Sequence, residues 1–291
     1  MNKGYIKIAL ALLSVAGYMQ NIAFASEQDP SANSSNGTST KVLSANPEET
    51  EQHLHANSQE AEHAATIMAD ALNIAKDLAK RTDEYTVYDT VDDVTLYVKD
   101  VNGAEVGLLE FTIPNPNCYD NVIDLIWEPK GAAYIDDKFI DGHHPQIYNE
   151  NLVIIQQRYK SMLRGWQRYF HALATKVELS ENETAILMAS SNMNDHDGYY
   201  TNSTYENPIL ESINGFCPDV DSQEDIRKGQ LYKMYINLMA FFIKKEPKGI
   251  KVTHISSVDA NVAWILSRPA RSAKATKMFN FVKLREMFQQ E

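Results

Sequence analysis

The most limiting feature of this chain is an order of elements: long strand-forming runs fill its middle, and helical spacing occurs on both sides of them. Strands grouped between helices select an α+β domain with an antiparallel sheet over a chain of βαβ units. Asn57 and Glu60 have the spacing of a capping box, and Ala61, Ala64, Ala65, Met68, Ala71, Leu72, Ala75, Leu78 and Ala79 follow at helical intervals. β-rich runs then cover 85–90, 94–101 and 106–113, with Asp92-Asp93 and Asn102-Gly103 as turns and Pro114 and Pro116 as a stop. A short helix is predicted over 119–127, followed by a polar loop over 128–144. Longer strands are predicted over 152–159, 166–177, 184–192, 231–243 and 249–258, and a closing helix over about 269–288 with Pro269 in its first turn. The economical arrangement is a strongly curved antiparallel sheet wrapped around that long C-terminal helix, which leaves an internal cavity between the two.

The N-terminal end sets the expected compartment. Lys3 and Lys7 precede an apolar run over 8–17, and Ala23-Phe24-Ala25 places small residues before a cut at Ser26. That is the order of a secretory signal peptide over 1–25, and its apolar run is shorter than the roughly 20 residues that span a bilayer. Residues 26–56 are rich in Ser, Asn, Thr, Gln, Glu and Pro, the composition of a disordered leader. Residues 57–291 remain as one folded domain. The formal charge is -12, and loss of Lys3 and Lys7 with the signal makes it -14. So acidic a protein is a poor non-specific partner for nucleic acid or for anionic membrane surfaces. Cys118 and Cys217 can pair in an oxidising compartment or stay as thiols.

Alternation in the long strands locates candidate ligand contacts. Val153, Ile155, Gln157 and Tyr159 point one way along their strand. Tyr169, His171, Leu173, Thr175 and Val177 form a second set, and Tyr232, Met234, Ile236, Leu238, Ala240 and Phe242 a third. Apolar faces with a few aromatic and polar members line small-molecule pockets, and they also fill ordinary cores. The closing helix carries Arg268, Arg271, Lys274, Lys277, Lys283 and Arg285 against only Glu286 and Glu291, with Met278, Phe281, Val282 and Phe288 on one side. Such a helix can dip into a membrane interface and gate a cavity, or simply pack with solvated lysines.

Signals for catalysis are weak. Ser190, Ser191, Asp195, His196 and Asp197 contain the letters of a hydrolase triad but no nucleophile-elbow context, and 194–198 reads as a turn. His53, His55 and His63 match no zinc spacing. Asn33, Asn36, Asn182 and Asn202 begin glycosylation sequons. No enzyme, cofactor or metal is expected.

Several long stretches carry a family resemblance. The signal peptide, Val94-Thr-Leu-Tyr-Val98, Phe111-Thr-Ile-Pro-Asn-Pro116, Ile126-Trp-Glu-Pro-Lys-Gly131, Asn151-Leu-Val-Ile-Ile-Gln-Gln-Arg-Tyr-Lys160, Trp166-Gln-Arg-Tyr-Phe170 and Lys277-Met-Phe-Asn-Phe-Val-Lys-Leu-Arg285 resemble the fam-a proteins of rodent malaria parasites. That resemblance implies a START (StAR-related lipid transfer) domain with a helix-grip fold and an internal lipid cavity. It implies a monomeric carrier of phospholipid, phosphatidylcholine above all, which touches membranes transiently and is secreted into the parasitophorous vacuole or exported to the host erythrocyte. Export motifs of these parasites read Arg-x-Leu-x-acidic or Gln, whereas this chain has Lys41-Val-Leu-Ser-Ala45. The choline site is implied at Tyr159, Tyr169 and His171 with Gln157, lined further by Ile155, Met234, Leu238, Met278 and Phe281. The phosphate end is implied just after Trp127, where this chain offers Lys130, Asp136 and Asp137 in place of an Arg. A secreted host-interaction or adhesion protein that keeps the fold with a filled interior is the alternative.

Overall fold

The computed structural model describes residues 47–161, 167–199, 204–263 and 266–289, with side chains from residue 58 onward. The signal peptide, most of the leader, Lys41–Ala45, Trp166 and the sequons at Asn33, Asn36 and Asn202 lie outside the described residues, as do the side chains of His53 and His55. The chain divides into two compact units, Met1–Ala61 and Glu62–Glu291, and the second contains the whole sheet and the closing helices.

Helix α1 (Pro47–Leu78) opens the described chain, so Asn57 and Glu60 lie inside it and do not cap it. Among the described residues no helix is long and apolar enough to cross a membrane. Ten strands of the described residues form one sheet: β1 (Thr86–Val91), β2 (Val94–Val101), β3 (Ala104–Ile113), β4 (Phe139–Asn149), β5 (Leu152–Lys160), β6 (Gln167–Ser180), β7 (Glu183–Ala189), β8 (Tyr232–Lys233), β9 (Tyr235–Glu246) and β10 (Gly249–Asp259). The order is β1-β2-β3-β10-β9-β7-β6-β5-β4, antiparallel throughout, with the two-residue β8 parallel to β6. Helix α2 (Tyr119–Trp127) follows β3, and α3 (Glu224–Arg227) is a single turn. The closing segment is α4 (Ser267–Asn280), a 3-10 turn (Phe281–Lys283) and α5 (Leu284–Met287).

β4 begins within the stretch 128–144 predicted as loop and runs on to Asn149. Its Pro145 sits in an edge strand beside a register shift between His143 and Gln146, where a missing N–H costs no ladder bond. α2 and the closing helices cover one face of the sheet. Val153, Ile155, Tyr159, Phe170, Ala172, Ala174, Ile186, Met188, Ile236, Phe241, Ile243, Ile250 and Val252 pack there with Met278 and Leu284. The other face is buried as well, through Leu108, Leu173, Leu187, Leu238, Ala240 and Ile255. The α1 stripe Ala64, Ile67, Met68, Ala71, Leu72, Ala75 and Leu78 is buried to the same degree, and His63 meets Phe216 edge-on at 5.5 Å. Cys118 and Cys217 are separate thiols; Cys118 is buried, donates to the Asn115 carbonyl at 3.1 Å, and has its pKa raised by that burial.

Candidate functional site

The site is built from the face of the sheet that looks at α4. Directly opposed residues of an antiparallel pair share a face, and β5 pairs with β6 as Ile155↔Ala172, Gln157↔Phe170 and Tyr159↔Arg168. Tyr159 therefore faces the closing helix together with Phe170. Its ring stacks on Phe170 at 6.4 Å and meets the edge of Phe139 at 5.6 Å. Its hydroxyl donates to Gln157 Oε1 at 2.8 Å, and Gln157 Nε2 donates to the Pro129 carbonyl at 2.9 Å. Burial, then the charge of Asp136, pushes the Tyr159 hydroxyl pKa up.

The charged partner of this wall comes from the closing helix. Lys277 Nζ lies 3.4 Å from the Tyr159 ring centroid and donates to Asp136 Oδ2 at 2.6 Å. Asp136 is 8 % exposed and also accepts from the Lys138 backbone N–H at 2.9 Å, while the Lys277 side chain keeps 41 % of its surface. Burial pushes the Lys277 amine below its usual range, and Asp136 pulls the other way. A residue away, Met278 lies against Gly107, where any added Cβ would collide with its sulfur. Phe281 packs on Phe241 at 4.7 Å and on His254 at 4.8 Å, and His254 stacks on Phe241 at 4.1 Å. Burial lowers His254 to about 3, so it is a neutral ring. The interior between helix and sheet is thus largely filled by side chains. A cleft with about 20 Å³ of free space lies beside them, lined by Tyr88, Leu96, Val98, Ser256, Val258 and, on the helix, Arg271, Lys274, Ala275 and Met278.

The structure brings Tyr159, Gln157, Ile155, Met234, Met278, Phe281 and Asp136 to this side of the sheet. Four expected members stand elsewhere. Tyr169 and His171 belong to the alternate set of β6, and the Gln157↔Phe170 pairing turns them to the opposite face. Leu238 is on that face too, because the β9–β10 register shifts beside Asn237 and reverses the alternation that Met234 and Ile236 begin. Lys130 is 69 % exposed and reaches Asp141 at 3.3 Å instead of Asp136. Its turn folds back at Gly131, where a side chain would strike the Leu125 carbonyl. Lys277 is the residue that supplies the positive charge.

On the far face, His171 Nδ1 lies 3.0 Å from Asp195 Oδ2, and Nε2 lies 3.0 Å from the Gln156 amide. Tyr169 and Lys233 donate to Asp195 at 3.2 and 2.8 Å. Burial works to raise the Asp195 carboxyl, but the His171 bond and the Lys233 charge outweigh it and hold it at about 2. Burial lowers the His171 pKa against the pull of Asp195, and its ring is held between that carboxylate at Nδ1 and Gln156 Oε1 at Nε2. No serine completes this dyad among the described residues: Ser190 Oγ donates to the His171 carbonyl, not to its ring. The arrangement ties Asp195 to β6 and β8.

No sequence-family model matches the chain, and no curated protein sequence matches it. Solved structures do. Human StAR-related lipid transfer protein 5 superposes with a TM-score of 0.56 at 8% identity, over 77% of this chain and 97% of that one. The human StarD13 (DLC2) lipid transfer and protein localization domain gives 0.51 at 12%, over 76% and 96%. Human STARD10 gives 0.50 at 11%, over 73% and 79%. The fold is that of START domains. The curved antiparallel sheet with its C-terminal helix is therefore the helix-grip architecture that the sequence led us to expect.

Proposed function

We propose that this chain is a phospholipid-binding and transfer protein that carries phosphatidylcholine between membranes, held between the closing helix and the sheet. The observation that carries this reading is the Lys277 ammonium on the face of Tyr159 beside buried Asp136. A wall that already holds one organic cation on an aromatic face has the chemistry to hold a choline group. The fold adds weight, since two of the matched structures are described as lipid transfer proteins or domains. The free space of that cleft, about 20 Å³, is far below the roughly 300–1,000 Å³ of small-molecule sites. A diacyl lipid needs more, so α4 parts from the sheet to admit it, with Met278 and Phe281 exchanging their present neighbours for acyl chains. The protein acts as a monomeric carrier with no cofactor, touches membranes transiently and does not engage nucleic acid.

The motif resemblance and the signal-like N-terminus support a secreted fam-a protein of the parasitophorous vacuole or host erythrocyte. The mutual packing of Phe241, His254 and Phe281 favours the second reading, a host-interaction protein whose interior is filled by its own side chains. Transfer between vesicles separates the two. The carrier reading expects labelled phosphatidylcholine to move faster than phosphatidylserine. A folded protein that moves neither supports the second reading.

A further inference from the structure

We propose that Lys277 is a built-in competitor for the cationic group of the ligand: its ammonium fills the site made by the Tyr159 ring and the Asp136 carboxylate, and a substituted ammonium enters only by displacing it. The inference rests on the carrier reading and adds a regulatory step to it.

Two groups define the site. The Tyr159 ring face attracts a cation within about 6 Å of its centroid, and Lys277 Nζ is at 3.4 Å. The Asp136 carboxylate is 2.6 Å from the same nitrogen and is buried, so to stay ionised it needs a cation beside it. The other nearby amines are committed: Lys130 to Asp141, Lys138 to Asp137, and Lys283 to the Ile135 carbonyl. An aromatic face with one carboxylate suits an organic ammonium, whereas a hard metal ion takes six or more oxygens.

Lys277 is placed to leave. The side chain as a whole keeps 41 % of its surface while the amine is enclosed by Tyr159 and Asp136, so departure swings the ammonium out past the ring on its four-carbon stem. Departure alone strands Asp136, which is costly for a buried carboxylate. Departure with an incoming trimethylammonium leaves Asp136 paired. The freed amine then meets the phosphate of the same zwitterionic headgroup, and one ion pair becomes two. Because Lys277 adjoins Met278 on α4, exchange at the cation site also loosens the helix that covers the acyl chains. Headgroup arrival and opening become one event.

The probe is tetramethylammonium, titrated against the full chain by calorimetry with sodium chloride at equal ionic strength as reference. Lys277→Met removes the competitor and keeps the stem, and is expected to bind it about tenfold more tightly than the parent, a gain within the range of a desolvated cation–π contact. Lys277→Arg should stay weak, and adding Tyr159→Leu to Lys277→Met should abolish the gain. Equal binding by parent and a folded Lys277→Met overturns the proposal. Independently of any variant, acetylation of Lys277 in the parent should rise severalfold on adding tetramethylammonium while that of Lys130 stays constant. Unchanged Lys277 labelling also overturns it. If the parent carries no lipid yet Lys277 labelling responds, the carrier reading falls and the cation site stands. If it carries lipid and Lys277 does not respond, only this inference falls.

Discussion

Lys277 on α4 and Tyr159 on β5 meet as cation and ring at 3.4 Å, so one contact joins the closing helix to the far part of the sheet. The ring, not the hydroxyl, makes that contact. Tyr159→Phe should therefore transfer phosphatidylcholine within about twofold of the parent while losing roughly 1 kcal/mol of stability with the Gln157 bond. Tyr159→Leu should lose the preference for phosphatidylcholine over a diacylglycerol with the same chains. Retention of that preference in the leucine variant counts against a cation site on this ring.

Tyr169 tests the register. It is fully buried on the opposite face, against Ile226 and Leu231. Tyr169→Ala should cost about 3–5 kcal/mol as a large-to-small core change and alter phosphatidylcholine and phosphatidylserine transfer in equal proportion. Denaturant unfolding measures the first and vesicle transfer the second. A selective loss of choline-lipid transfer at unchanged stability would place Tyr169 at the headgroup after all.

His254 gives a pH dependence with a fixed sign. Its folded pKa is about 3 against an ordinary 6.5, so the unfolded chain binds the extra proton first. Its contribution is complete above pH 6.5 and is lost as pH falls from there toward 3, by about 1.4 kcal/mol per pH unit. Urea unfolding of the parent at pH 6.5 and 4.5 should thus differ by about 2–3 kcal/mol more than in His254→Asn, which has no such group to protonate. Parallel acid limbs in the two proteins contradict a buried neutral His254.

Gly107 and Met278 test how the helix docks. A Cβ at Gly107 would overlap the Met278 sulfur, the flexible end of its side chain. Gly107→Val should destabilise by about 1–3 kcal/mol through overpacking, and Met278→Ala in the same chain should recover part of that loss. A double-mutant cycle with no coupling shows that the helix does not seat on β3 as described.

Much of this fold can be seen in residue patterns because periodicity is a local property. β2 and α2 fall on their predicted bounds, since Val94, Leu96 and Val98 alternate with Thr95, Tyr97 and Lys99 and Val122, Ile123, Ile126 and Trp127 share a helical side. Alternation separates two faces of a strand but does not say which one looks inward. For β6 that depends on the pairing with β5, a non-local fact that puts Phe170 where Tyr169 was expected. The extra residue at Asn237 has the same effect on Leu238, since nothing in the run 232–242 marks the bulge. β4 is obscured by Pro145 and its polar neighbours, which only an edge strand tolerates. Lys277 does carry a local signal: it heads the i, i+4 row with Phe281 on the apolar side of the closing helix. Its partner Asp136 is 141 residues away, beyond the reach of any periodicity.

Whether the space between α4 and the sheet holds a phospholipid decides between a carrier and a filled fold. Native mass spectrometry of the purified full chain after exposure to phosphatidylcholine vesicles tests it most directly. A carrier appears as a folded monomer with one added mass, that of a single diacyl phosphatidylcholine, released when the protein unfolds. A folded protein found only at its polypeptide mass contradicts lipid carriage and leaves a START fold closed on its own side chains.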